Sequence, residues 1–134
     1  MAGSFSDYLE LELLDHLFKK GTYTTPTNIY VALCTSTVVD SDTGSSVTGE
    51  VSGGAYARVT CNTWDAASAG ATENTGAVTF AQATAAWGTI THFALCDHST
   101  GGNMLAHGAL DTAKSVASGD TAKFATGDID VELT

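Results

Sequence analysis

One amphipathic helix at the start of the chain, followed by short strand-like runs, is the feature that most constrains the fold. Residues 6–20 have leucines at helical spacing, so one stripe of the predicted helix is apolar. The stripe consists of Leu9, Leu13, Leu14, Leu17 and Phe18. Because a single helix cannot form a layer of its own, it must cover the remainder of the chain or contact a neighbouring subunit.

The ends of this segment carry residues that start and stop helices. Ser6 or Asp7 can serve as the N-cap, and Asp7 with Glu10 resembles a capping box. Gly21 can adopt the left-handed backbone conformation that ends a helix. These signals predict a helix over residues 6–20.

The residues after the helix have the pattern of an all-β domain. Short runs of strand-forming residues alternate with turns rich in Thr, Gly and Ser, and residues 89–96 and 104–110 form the clearest hairpin. Such spacing is typical of β-sandwiches and jelly rolls. We therefore predict one mainly β domain over 1–134, with the N-terminal amphipathic α-helix at 6–20 and a β-sandwich or jelly-roll-like body over 28–134.

The charge balance argues against two classes of partner. The chain has 15 acidic and 5 basic residues, for a formal net charge of −10 at pH 7. An acidic surface repels nucleic acid and anionic membranes, and the chain has no basic stripe. No apolar run is long enough to span a bilayer, and the first residues lack the basic region of a secretory signal. We therefore expect no nucleic-acid partner and no membrane partner.

The acidic loop around Asp42 resembles two known kinds of site, both incompletely. Asp42, Thr43 and Gly44 match the Asp-Thr-Gly signature of aspartic proteases, which need two such carboxylates on rigid loops. The chain has one copy, so a second copy would have to come from a homodimer. Asp40, Asp42 and Glu50 lack the spacing of an EF-hand, although an exposed loop could hold a surface cation. We interpret the segment as a solvated loop and predict no enzymatic activity.

The histidines and cysteines show no metal-binding spacing. Four potential ligands cluster in sequence around one predicted hairpin, at His92, Cys96, His98 and His107, but no paired motif accompanies them. We predict core or turn histidines, no metal site and no cofactor. The cysteines are odd in number and each lies in a strand-like run, which predicts buried free thiols. They are Cys34, Cys61 and Cys96.

Two further residues are informative because their types are rare in this chain. Arg58 is the single arginine, and its simplest role is an ion pair or hydrogen bonds to loop carbonyls. The alternative role is a contact with a neighbouring subunit. Trp87, followed by Gly88 just before a strand, predicts a packing anchor at a corner of the body.

Several sequence blocks, taken in order, resemble a family of small structural proteins of tailed bacteriophages and prophages. The blocks are residues 5–10, 13–16, 29–33, 51–58, 87–93, 100–105, 108–110 and 119–121. Together they extend over almost the whole chain. Members of the family are described variously as tail fibre proteins or as head proteins. Ala55 and Ala113 stand where similar sequences often have Gly and Pro, so those two turns are expected to differ.

The resemblance implies an oligomeric virion component without enzymatic activity. Our leading hypothesis is a head decoration or cement protein, made in the host cytoplasm, that forms homotrimers on the capsid exterior and stabilises contacts between major capsid protein subunits. The alternative is a tail-tip or tail-fibre protein that recognises a host receptor. The candidate subunit contacts are Leu9, Leu13, Leu14, Leu17 and Arg58.

Overall fold

Short strands make up most of the regular structure, and one helix lies near the N-terminus, as predicted. The computed structural model describes residues 2–133. Its elements are, in order, β1 (Ala2–Phe5), α1 (Asp7–Leu17), β2 (Tyr30–Cys34), β3 (Val59–Thr60), β4 (Ala71–Glu73), β5 (Val78–Thr79), β6 (Gly88–Cys96), β7 (Met104–Val116), β8 (Lys123–Phe124) and β9 (Asp130–Glu132).

Seven strands form one sheet, in the order β3-β2-β6-β7-β1-β9-β4, and β5 pairs with β8 in a second sheet of two strands. The pair of β1 with β9 is parallel, and the other described pairs are antiparallel. The main core includes Leu33 and Phe93 from the large sheet together with Val78 and Phe124 from the small one. The two sheets therefore enclose a common core, as in a β-sandwich.

The opposite face of β2 and β6 has a smaller apolar cluster. Ala32, Cys34, Ala94 and Cys96 lie there, covered by Val38 and Val47 of the loop after β2. Strand β2 and residues 93–96 of β6 are therefore buried on both faces, which explains why these runs are apolar without alternation.

The first strand, β1, was not predicted. It pairs antiparallel with β7, where Gly3 lies opposite Gly108, and parallel with β9. A Cβ atom at Gly3 would lie 2.8 Å from the carbonyl oxygen of His107 and 3.0 Å from the Phe93 ring, so only glycine fits this approach without movement. The small residues of this segment have weak strand propensity, and pairing with distant strands overrides that preference.

The helix begins as predicted and ends earlier than predicted. Ser6 is the N-cap, whereas the last helical residue is Leu17 and not Lys20. Lys19, with φ of 65°, takes the left-handed conformation expected of Gly21. The Lys20 N–H then donates to the Asp15 carbonyl at 2.8 Å, which completes a Schellman-type end.

Replacement of the N-cap tests how firmly α1 is held on the sheet. Ser6 is fully buried; its Oγ accepts from the Leu9 N–H at 3.3 Å and donates to the Met104 carbonyl at 2.5 Å. We expect Ser6→Ala to lower the free energy of unfolding by about 1–2 kcal/mol, because the Leu9 N–H and the Met104 carbonyl each lose a hydrogen-bond partner. Urea denaturation measures this loss. The exposed neighbour Asp7 is the control, and a cost for Asp7→Ala as large as that for Ser6→Ala would contradict this role.

Candidate functional site

The outward side of α1 presents large apolar side chains among exposed polar ones. Leu9 faces the sheet and is buried, and Leu13 is partly buried, so only part of the predicted stripe covers the body. Four large apolar side chains point away from the body and form what we call the apolar helix face: Leu11 (64% exposed), Leu14 (54%), Leu17 (68%) and Phe18 (72%). They account for four of the six exposed large hydrophobic residues found within 2–133. Such a concentration is typical of a contact surface.

Acidic side chains border the apolar helix face. Glu10 and Asp15 are exposed, and helical spacing places them on either side of Leu11 and Leu14. A partner of this surface must therefore offer an apolar depression and must tolerate or neutralise negative charge.

Arg58 forms a clamp with Glu50. The Arg58 side chain is 4% exposed, and its Nε lies 2.7 Å from Glu50 Oε1. Its Nη2 donates to Glu50 Oε2, also at 2.7 Å, so the pair is bidentate. The hydrogen bond with Glu50 raises the pKa of Arg58, although burial opposes the charged form.

The remaining donors of Arg58 tie together two loops that are distant in sequence. Nη2 donates to the Gly44 carbonyl at 2.7 Å, and Nη1 donates to the carbonyls of His98 at 3.0 Å and Gly101 at 3.3 Å. A Cβ atom at Gly44 would collide with the Gly101 carbonyl, so the two loops approach each other closely. Arg58 therefore has the ion pair and the hydrogen bonds to loop carbonyls that were predicted as its simplest role. Its role as a subunit contact stays a prediction.

The Glu50 carboxylate also organises the adjoining core. The Tyr56 hydroxyl donates to Glu50 Oε1 at 2.9 Å and accepts from the Leu33 N–H at 3.0 Å. Burial, and then the charge of Glu50, raise the pKa of Tyr56. Tyr56 therefore stays protonated and connects the clamp to strand β2.

The acidic residues of the predicted solvated loop have separate structural partners. Asp42 Oδ2 accepts from the N–H groups of Val39 and Thr48, and Oδ1 accepts from the Thr48 hydroxyl. The Asp40 carboxylate lies 2.6 Å from His107 Nε2. Within residues 2–133, no group of three or more His, Cys, Asp or Glu side chains could hold a metal ion. The Asp42 carboxylate therefore holds its own loop in shape.

Two other histidines have local partners. His92 Nδ1 lies 2.8 Å from the Thr91 hydroxyl, and His98 Nδ1 lies 2.6 Å from Asp97 Oδ1. Burial opposes ionisation of Asp97, but hydrogen bonds from Asn103 and His98 outweigh it and lower its pKa. His92, His98 and His107, although close in sequence, therefore have separate hydrogen-bond partners.

The three cysteines are free and buried, as predicted, and we expect them to be unreactive in the folded chain. Burial raises the pKa of Cys34 and of Cys96 to about 12, and it also raises the pKa of Cys61. Because the thiolate is the reactive form, a thiol reagent at pH 8 should label the native chain at least about tenfold more slowly than the urea-denatured chain. Rapid labelling of the native chain would contradict this burial.

The chain matches the model of a known protein family. A family model described as "Podophage GP4 fiber I protein gp80" matches residues 4–132, which include α1 and the Arg58–Glu50 clamp. No curated protein matches the chain. Among the described residues, no helix combines the length and apolarity needed to cross a membrane.

Proposed function

The chain belongs to the Podophage GP4 fiber I protein gp80 family, a family of bacteriophage virion structural proteins, and we propose that it is a component of a tail fibre. The observation that carries this proposal is the match over residues 4–132, because it includes nearly every element of the fold. We propose a non-enzymatic role: the chain acts through the surfaces that it presents to other subunits and to the host receptor.

The apolar helix face supports assembly as the mode of action. Leu14 and Leu17 are more than half exposed although both are large and apolar, which is unfavourable for an isolated subunit in water. Of the predicted contacts, these two are placed to meet a neighbouring subunit, whereas Leu9 and Leu13 pack toward the body. We propose that copies of the chain associate through this helix as a homotrimer.

A second candidate function is decoration of the capsid exterior, where the chain would stabilise contacts between major capsid protein subunits. The exposed apolar helix face favours it, because such a face can contact a capsid subunit as well as another copy of this chain. Many weak contacts repeated over a shell would sum to a large stabilisation through avidity.

Labelling of virions distinguishes the two functions. Phage carrying an epitope tag on this chain would be treated with gold-conjugated antibody and imaged by electron microscopy. The tail-fibre proposal predicts gold at the tail, and the decoration alternative predicts gold over the whole head. Purified virions without label, in which the tag is also undetectable after denaturation, would contradict both.

Removal of the helix leucines tests self-association directly. We expect Leu14→Ser combined with Leu17→Ser to leave the fold intact, since substitutions of exposed side chains usually change stability by less than about 0.5 kcal/mol. The same variant should lose self-association in analytical ultracentrifugation. The matched control is Leu133→Ser, because Leu133 is 59% exposed and lies outside the helix. Undiminished assembly of the double variant would show that another surface carries the contact.

A further inference from the structure

Strand β1 fills a gap in the large sheet. It lies between β7 and β9, and the order of the described strands gives no direct pairing of those two. Gly3 is the partner of Gly108 on β7 and of Val131 on β9. Without β1, the facing backbone groups of β7 and β9 would form two open sheet edges. A copy whose own β1 lies elsewhere therefore needs an equivalent strand in this gap.

Residues 2–17 form a unit that we call the β1–α1 module. Ser6 alone separates the strand from the helix, and it is fully buried. The Ser6 N–H donates to the Leu105 carbonyl at 2.9 Å, and the Asp7 N–H donates to the Asp40 carbonyl at 2.9 Å. Because β1 and α1 are joined through this one fixed residue, we expect them to detach and dock together.

A linker, residues 18–29, connects the β1–α1 module to β2 and contains no helix or strand. Near its start the Tyr23 N–H donates to a histidine side chain of α1 at 3.2 Å, and at its end the Ile29 N–H donates to Asn62 Oδ1 at 2.9 Å. In the described part of the chain, no hydrogen bond involves residues 24–27. The middle of the linker is therefore hydrogen-bonded neither to the module nor to the body.

The sequence of the linker favours an extended backbone. Four of the six residues 22–27 are threonines, and Pro26 is the single proline of the chain. β-Branched residues favour extended conformations, and a residue that precedes proline is disfavoured in the helical region. Twelve extended residues span roughly 40 Å, which is comparable with the diameter of a compact domain of this length. The linker is therefore long enough to place the module on an adjacent copy.

We propose that copies of the chain exchange the β1–α1 module, so that β1 of one copy fills the gap between β7 and β9 of the next. This inference rests on the proposed self-association: the apolar helix face brings copies together, and the exchange then interlocks them. The exchanged module makes the same contacts as within one chain, so the exchange costs little free energy. A high local concentration of copies favours it. Cyclic exchange among three copies closes the homotrimer.

Cross-linking of two introduced cysteines tests the exchange. Ser4 on β1 lies directly opposite His107 on β7. The variant combines Ser4→Cys with His107→Cys, and a short bismaleimide joins the two thiols by thioether bonds. The native cysteines are buried, so we expect only the introduced ones to react. On a denaturing gel, exchange predicts linked products with two and three times the mass of one chain.

A second pair of cysteines keeps the test valid if the loss of the His107 contact with Asp40 disturbs folding. This variant combines Ser4→Cys with Glu132→Cys, because both residues are exposed and line the same depression. The controls are the single-cysteine variants, which should run at the mass of one chain.

The outcomes separate the exchange from self-association. Links confined within single chains, in a preparation that is oligomeric by analytical ultracentrifugation, would overturn the exchange and leave the proposed self-association standing. An unaltered chain that is monomeric at every concentration would overturn both. Absence of any link would contradict the position of β1 in the sheet, and the exchange with it. Labelling of the virion tail is independent of these results, so the tail-fibre proposal can stand or fall separately.

Discussion

Replacing Arg58 with alanine is expected to lower the free energy of unfolding by about 3–5 kcal/mol, as for other buried ion pairs that lose one partner. The substitution leaves the Glu50 carboxylate, 19% exposed, without its bidentate partner. It also removes the donors to the carbonyls of Gly44, His98 and Gly101. Because Arg58 donates hydrogen bonds to both loops, we expect removal of its guanidinium to separate the two loops.

Urea denaturation of graded variants identifies which property of Arg58 matters. Arg58→Lys keeps the charge and loses the planar fork, so its loss of stability should be smaller but clear. Glu50→Gln keeps the shape and removes the negative charge, and it should also destabilise the fold. A loss below about 1 kcal/mol for Arg58→Ala, the usual upper value for an exposed pair, would show that the clamp is not a structural element.

Replacing Trp87 with alanine is expected to cost about 3–5 kcal/mol, the usual range for truncation of a buried large aromatic side chain. The Trp87 ring meets Tyr56 edge to face, with centroids 5.4 Å apart, and Phe80 at 6.4 Å. Its Nε1–H donates to the Gly54 carbonyl at 2.9 Å. These contacts agree with the predicted packing anchor at the start of β6.

Two further variants separate packing from hydrogen bonding at this anchor. Trp87→Phe retains most of the apolar contact and leaves the Gly54 carbonyl without its donor, so we expect a loss of about 1–3 kcal/mol. Trp64→Phe is the matched control, because Trp64 is only partly buried and donates to the Cys61 carbonyl. Equal losses for Trp87→Phe and Trp64→Phe would contradict the central position of Trp87.

Local signals were enough to predict the start of the helix but not its orientation. The N-cap Ser6 acts on the next residues of the chain, so it is visible in the sequence. Apolar residues occur around much of the helix circumference, including Leu11 and Phe18, and periodicity could not decide which side packs. Contacts with β1 and β7 make that choice, and only the fold shows them.

The buried polar residues depend on partners far away in sequence. Asn74 is fully buried, donates to the carbonyls of Gly76 and Ala125, and accepts from the Ile129 N–H. No pattern around Asn74 indicates these contacts, because two of its partners follow more than fifty residues later. For Arg58, in contrast, a single arginine in a weakly charged chain was a sufficient signal of a carboxylate or carbonyl partner.

The resemblance to phage virion structural proteins is confirmed by the family match, and the place of the chain within the virion is the part that we propose. The sequence does not predict the location of the chain in the virion, because fold and surface chemistry determine what a chain can contact, whereas location depends on the residues of its partners. The apolar helix face suits a fibre subunit and a capsid clamp equally well.

The most direct test of this account is the number of copies per virion, measured by quantitative mass spectrometry of purified particles with the major capsid protein as internal reference. A tail-fibre component should be present in a small number of copies, far below that of the major capsid protein. Absence of the chain from purified virions would contradict its structural role. A copy number close to that of the major capsid protein would contradict the fibre proposal in favour of capsid decoration.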